Sequence, residues 1–150
     1  MDDTGKIYII DASVLFAGLL LDEVYNISAD KILEDYKEKR TDLLAPSLIT
    51  YEVLNGIRMA FLRKRIPQDS INILISLYKK LEIRLFEPVE NHLLSTAISN
   101  NLSVYDSAYV SLMILQNKPL ITADKKLYNQ MHRLHRNSLV KWIEEFKQHI

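Results

Sequence analysis

Residues 7–21 read IYIIDASVLFAGLLL. Ile7 to Ile10 form an unbroken β-branched and aromatic run, the pattern of a strand buried on both faces. From Ala12 to Leu21 the apolar residues continue as a helix, and the one charge in the segment, Asp11, stands at the turn between them. Three more stretches have the same character: LLAPSLITYEVLNGI at 43–57, LSVYDSAYVSLMILQ at 102–116 and PLITADKKLY at 119–128. They carry Glu52, Asp106 and Asp124. A carboxylate without a cationic neighbour is costly to bury, so four converging from distant parts of the chain call for a hard cation such as Mg²⁺ or Mn²⁺.

Outward from these segments, short β runs alternate with longer helical patterns. The spacing predicts strands at Ile7–Ile10, Asp42–Ala45, Ile83–Phe86 and Leu120–Thr122, with a possible edge strand at Ser138–Lys141. Helices are expected over Ala12–Leu21, Ala29–Lys39, from an N-cap at Ser47 to about Arg65, and from Pro67 with Ile71, Leu74, Ile75 and Tyr78 on one face. Further helices follow over Glu90–Asn100, Val104–Gln116, Lys125–Met131 and Trp142–His149. Strands joined by helical crossovers imply a mostly parallel sheet of four to five strands between helical layers. In such sheets ligands lie beyond the carboxyl ends of the strands, which gives the four acids a common address. The Val104 helix is apolar nearly all round and is expected to be buried, which leaves Asp106 close to a core.

Each acid also has a plainer reading. Asp124 stands where the N-cap of the next helix belongs, Ser103 and Asp106 resemble a capping box, and Asp11 could cap its own helix, as could Ser13. Glu52 alone reads as a solvated helix residue. The set shifts the balance, because four isolated acids at equivalent places are improbable as unrelated caps, and a cap can also hold a carboxylate in a fixed orientation.

The blocks resemble those of PIN-domain ribonucleases, in particular the short VapC-type toxins of prokaryotic toxin–antitoxin pairs. The resemblance rests on D-x-S at 11–13, P-S-x-x-x-x-E at 46–52, Y-D-S-A-Y at 105–109 and L-I-T-A-D at 120–124, in that order. It implies a Rossmann-like PIN fold, an acidic quartet of Asp11, Glu52, Asp106 and Asp124, and accessory roles for Ser13 and Thr122. It further implies Mg²⁺ or Mn²⁺ dependence, an RNA substrate, an antitoxin partner and a homodimer. One departure stands at the last motif, where some members carry a further acid and this chain has Lys125 and Lys126.

The chemistry suits the residues. Phosphodiester hydrolysis needs an activated water, shielding of the transition-state charge and a stabilised leaving oxygen, all within reach of hard cations held by carboxylates. Asp11 and Asp106 are the expected central ligands, Glu52 and Asp124 further ligands or water-mediated partners, and Ser13 and Thr122 orienters of water or phosphate. RNA contact is expected from two basic islands, Arg58, Arg63, Lys64 and Arg65, and Lys125, Lys126, Arg133 and Arg136, although a solvated helix face explains either nearly as well. His132 and His135 read as surface histidines, having no acid near them in sequence.

Composition sets the outer bounds. The 150 residues are 48% hydrophobic, the size of one domain with a covered core. With 19 basic and 19 acidic residues no global field draws the chain to nucleic acid, so such contact must be local. The absence of cysteine excludes disulfides, thiol catalysis and thiolate zinc sites, and fits a cytoplasmic protein. Asp2, Asp3 and Asp11 spoil the N-terminal run as a signal peptide, and no apolar stretch has the length of a membrane span. A haloacid-dehalogenase-like phosphatase needs an acid at position 13 and finds Ser13, and a receiver domain lacks its acid pair. Two alternatives remain: a PIN-fold RNA-processing or DNA nuclease without antitoxin, and a PIN fold kept as an inactive binding module.

Overall fold

The computed structural model describes residues 5–146. Five strands form one sheet: β1 (Lys6–Ile10), β2 (Thr41–Ala45), β3 (Arg84–Leu85), β4 (Leu120–Thr122) and β5 (Val140–Trp142). Their order is β3-β2-β1-β4-β5, and every neighbouring pair is parallel. The helices are α1 (Ala12–Leu19), α2 (Asn26–Lys37), α3 (Leu48–Leu62), α4 (Asp69–Leu81), α5 (Glu90–Asn100), α6 (Val104–Gln116) and α7 (Lys125–Leu134). The crossovers from β1 to β2 to β3 step one way along the sheet, and those from β3 to β4 to β5 step the other. Right-handed crossovers therefore set α1 to α4 on one face and α5 to α7 on the other. Packing agrees, with α1 against α2, α3 and α4, and α5 against α6.

The reversal of direction falls between β1 and β4, and at such a switch point the two outgoing chains diverge and leave a crevice. Asp11 leaves β1 there, and Asp124 follows β4. The α3 helix starts from the same edge, with Glu52 in its second turn. The α6 helix runs back towards β4, so its first turn, with Asp106, returns to that edge. Burial rises towards the carboxyl ends: Ile9, Ile10, Leu43, Leu44, Ala45, Leu120 and Ile121 are all buried.

On the helical face Gly56 of α3 lies against the Phe16 ring of α1, so closely that a Cβ would meet the ring at 1.7 Å. No side chain fits between these helices at that point. Asn101 and Asn117, with φ of 51° and 50°, end α5 and α6 in the left-handed conformation that Asn tolerates better than most residues.

Several expectations are corrected. Helix α1 stops at Leu19, α3 at Leu62, and α2 begins at Asn26 instead of Ala29. The Ser47 side chain makes no cap bond; its backbone N–H donates to Glu87 Oε1 at 2.8 Å. Strand β3 keeps only two of the four residues expected, both exposed, because at the sheet edge it has one neighbour. The α6 helix is buried only over Ser107–Met113, while Val104, Tyr105, Ile114 and Leu115 reach solvent at its ends. The last strand lies two residues later than expected at its start, and a 3-10 helix over Ile143–Phe146 takes the place of a closing α-helix. Residues 147–149 of that expected helix, and Asp2 and Asp3, lie outside the described residues. No helix among the described residues is long and apolar enough to cross a membrane.

Candidate active site

Asp11 is 5% exposed and caps α1. Its Oδ1 accepts from the Ser13 N–H at 3.0 Å and from the Ser13 hydroxyl, and its Oδ2 accepts from Thr122 Oγ1 at 2.5 Å. Both hydroxyls are engaged twice. Ser13 Oγ also accepts from the Ala123 N–H at 2.8 Å, and Thr122 Oγ1 from the Asp124 N–H at 2.9 Å. The turns after β1 and β4 are thereby tied together through one carboxylate. Ser13 and Thr122 both hold the Asp11 carboxylate.

Asp124 caps α7, its Oδ1 accepting from the Leu127 N–H at 3.2 Å. In α6 the cap is Ser103, whose Oγ accepts from the Asp106 N–H at 3.1 Å, so the capping reading holds for Ser103, which also interacts with the Asp106 carboxylate. Glu52 accepts at Oε1 from the Tyr109 hydroxyl at 2.8 Å. Tyr109 is 2% exposed, and burial, reinforced by Glu52, holds its hydroxyl protonated.

None of the four carboxylates takes part in an ion pair among the described residues. The electrostatic result has the same sign at Asp11, Glu52 and Asp106. Burial pushes Asp11 up to about 6 despite the Ser13 and Thr122 bonds, and Asp124 adds to the rise. Burial is also the largest cause for Glu52, raised further by Asp106 and Asp124, and for Asp106, raised further by Asp124 and opposed by Lys126. The four acids share one electrostatic neighbourhood. Among the described residues, however, no group of three or more Asp, Glu, His or Cys side chains stands in an arrangement that holds an ion. What the set has is the right chemistry for a hard cation: all-oxygen donors, uncompensated charge and one buried carboxylate held only by neutral groups.

The chain matches the PIN domain family model over residues 8–131, from β1 through α7. It belongs to the PIN-domain family. All four acids lie within the matched PIN region. The ribonuclease VapC3 of Pyrobaculum aerophilum is 25% identical over 119 residues, 79% of this chain and 90% of that protein. The PIN fold is shared with the crystal structure of PAE2754 from Pyrobaculum aerophilum (TM-score 0.68, 18% identity, 93% of this chain and 85% of that one). It is shared too with VapBC2 from Rickettsia felis bound to a DNA fragment from their promoter (TM-score 0.62, 12% identity, 91% and 98%).

The basic residues divide. Arg58, Arg133 and Lys126 of this PIN domain are exposed, Lys126 within electrostatic reach of Asp106. Lys125 instead lies over the Trp142 ring, its Nζ 4.6 Å from the centroid. Arg65 is taken by Asp22 and Glu23. His135 Nε2 pairs with Asn100 Oδ1 at 2.5 Å and His132 Nε2 with the Val140 carbonyl at 2.8 Å, which makes both structural. Tyr109 is the site residue that sequence reasoning missed. In an apolar helix it reads as core, yet a buried Tyr hydroxyl seeks a partner, and its place one turn after Asp106 points it towards the same edge.

Proposed function

We propose that this PIN-domain protein is a metal-dependent endoribonuclease, the toxin of a toxin–antitoxin pair, which hydrolyses RNA phosphodiester bonds with Mg²⁺ or Mn²⁺. The observation that carries the reading is the Asp11 corner: a buried carboxylate at the switch point of the sheet, fixed by neutral donors, with Asp124 in its field, Glu52 and Asp106 in turn in the field of Asp124, and no paired cation. Likeness to VapC3 along 90% of that ribonuclease supports the RNA substrate and, with it, an antitoxin. A homodimer belongs to the same proposal. Leu94, Ile98 and Tyr105 leave apolar surface open on α5 and α6 for such partners.

Asp11 and Asp106 would be the central ligands, with Glu52 and Asp124 completing the set directly or through water. Bound there, the ion would supply a water able to attack phosphorus near neutral pH and would shield the charge that grows on the phosphate oxygens. The chain's own part is positioning. Ser13 and Thr122 fix both oxygens of Asp11, and Tyr109 fixes one oxygen of Glu52 while leaving the other open. Lys126, near Asp106, offers a cation to the incoming phosphate.

The test is cleavage of single-stranded RNA with chelator, Mg²⁺ or Mn²⁺. Asp11→Asn and Asp106→Asn keep shape but remove charge. Both should stay folded and lose at least about 100-fold in rate, since even outer partners of metal ligands cost about 10- to 100-fold. Cleavage by either variant at the wild-type rate, or wild-type cleavage that persists in chelator, overturns the reading.

A further inference from the structure

A cleft of about 300 Å³ opens between α1 and α3 under the chain that leaves α1. That volume is at the lower end of small-molecule sites, which run from about 300 to 1,000 Å³. Its lining starts at Ser13 and Ala123, the residues that close the Asp11 corner, continues over Phe16, Met59 and Tyr25, and includes Arg63 beyond the last turn of α3. The cleft is therefore continuous with the acid site and has an apolar, partly aromatic wall.

Its two guanidinium groups differ. Arg65 donates to Asp22 at 2.9 and 3.1 Å and to Glu23 at 2.7 Å, a unit with its charge already met. No ion pair or side-chain hydrogen bond joins Arg63 to another described residue. Arg58 and Lys64, both exposed, flank this part of α3. In a chain with 19 acidic and 19 basic residues this is a local excess of positive charge beside an apolar wall. Planar faces against an aromatic wall, with phosphate at a free guanidinium, are how single-stranded nucleic acid is held.

We propose that this cleft is a nucleotide subsite for the substrate strand, seating a base against Phe16 and Met59 and a phosphate at Arg63, next to the phosphate that reaches Asp11. The assignment rests on the RNA reading above. An occupant that passes Ser13 and Ala123 runs directly into the acid site, which favours the substrate strand over a separate ligand.

The experiment measures binding of a fluorescent single-stranded oligoribonucleotide in chelator, where no turnover occurs, at several salt concentrations. Mn²⁺ affinity is measured separately by calorimetry. Arg63→Ala, an exposed and fold-neutral change, should weaken RNA binding about tenfold, as expected for one charged hydrogen-bonding group. It should also flatten the slope of log affinity against log salt by about 0.7, the value for one phosphate contact to a single strand. Met59→Trp, which fills the cleft, should weaken RNA binding with the slope unchanged, and both variants should bind Mn²⁺ as wild type does. RNA binding by both variants at the wild-type level overturns the subsite. So does a loss confined to binding of a co-expressed antitoxin, which would make the cleft a protein groove. A wild-type protein that shows the Arg63-dependent slope but neither takes up Mn²⁺ nor cleaves RNA sinks the nuclease reading and leaves the subsite standing.

Discussion

Two groups of acids flank α1, and they are handled in opposite ways. Before the helix, Asp11 is buried, receives bonds only from hydroxyls and backbone N–H groups, and is pushed up to about 6. After it, Asp22 and Glu23 stand nearer solvent and share the Arg65 guanidinium, whose bonds hold Asp22 below the usual carboxylate range. The second group is electrostatically finished. The first is geometrically finished but electrostatically open, since neutral donors fix a carboxylate without discharging it. Oriented charge left without a counterion is what the proposed metal site needs, whereas an exposed Arg pair serves as a fastening.

The largest test of this contrast is a melt across pH. Asp11 ionises near 3.9 in an unfolded chain and at about 6 in the folded one, so between those values the native state holds more protons than the unfolded state. Its stabilising contribution is complete below about pH 4 and is lost as pH rises through about 6, a change of about 3 kcal/mol. In chelator the wild type should therefore weaken over that window, and Asp11→Asn should flatten the response. Mn²⁺ at a hundredfold excess over its Kd should restore about 2.7 kcal/mol at neutral pH, roughly 5 to 11 °C in Tm. A wild-type Tm indifferent to both pH and Mn²⁺ would make Asp11 merely another helix cap.

Tyr109→Phe sharpens the comparison further, since it removes one neutral donor and leaves the carboxylates in place. Calorimetry should show Mn²⁺ affinity reduced about 10- to 100-fold. In a Glu52→Gln background the same change should cost almost nothing, because the two groups act as a pair. Equal losses in both backgrounds would reduce Tyr109 to packing. The smallest effect is expected at the finished end: Arg65→Ala should shift Tm by only about a few degrees, by the same amount with and without Mn²⁺.

The legibility of the chain follows the same division. Strand β1 and the turn at Asp11 could be read directly, because an uninterrupted Ile-rich run has few alternatives, although only its Ile9 and Ile10 end is fully buried. Asp11, Glu52, Asp106 and Asp124 were visible as the lone carboxylates of four largely apolar segments. Their shared edge followed once the strands were taken as parallel. Strand β3 was overextended because Ile83–Phe86 has β character that an edge position with one neighbour uses only in part. The burial of α6 was overestimated because its composition does not show that only its middle meets the sheet. The Ser13 bond to the Ala123 N–H, the Thr122 bond to Asp11 and the Tyr109 bond to Glu52 depend on contacts across 57 to 111 residues of chain, which no local pattern encodes.

That separation has a consequence in time. The Thr122 hydroxyl that secures Asp11 lies 111 residues downstream of it. At about 5–20 residues per second of synthesis, the first acid waits roughly 6 to 22 s for the turn that orients it. During that interval the nascent chain carries only part of the quartet and lacks the β4 turn against which Asp11 is set. The Asp11 corner therefore cannot close until β4 and its following turn have been made, so the order of synthesis itself delays the contact that fixes the second oxygen of this carboxylate.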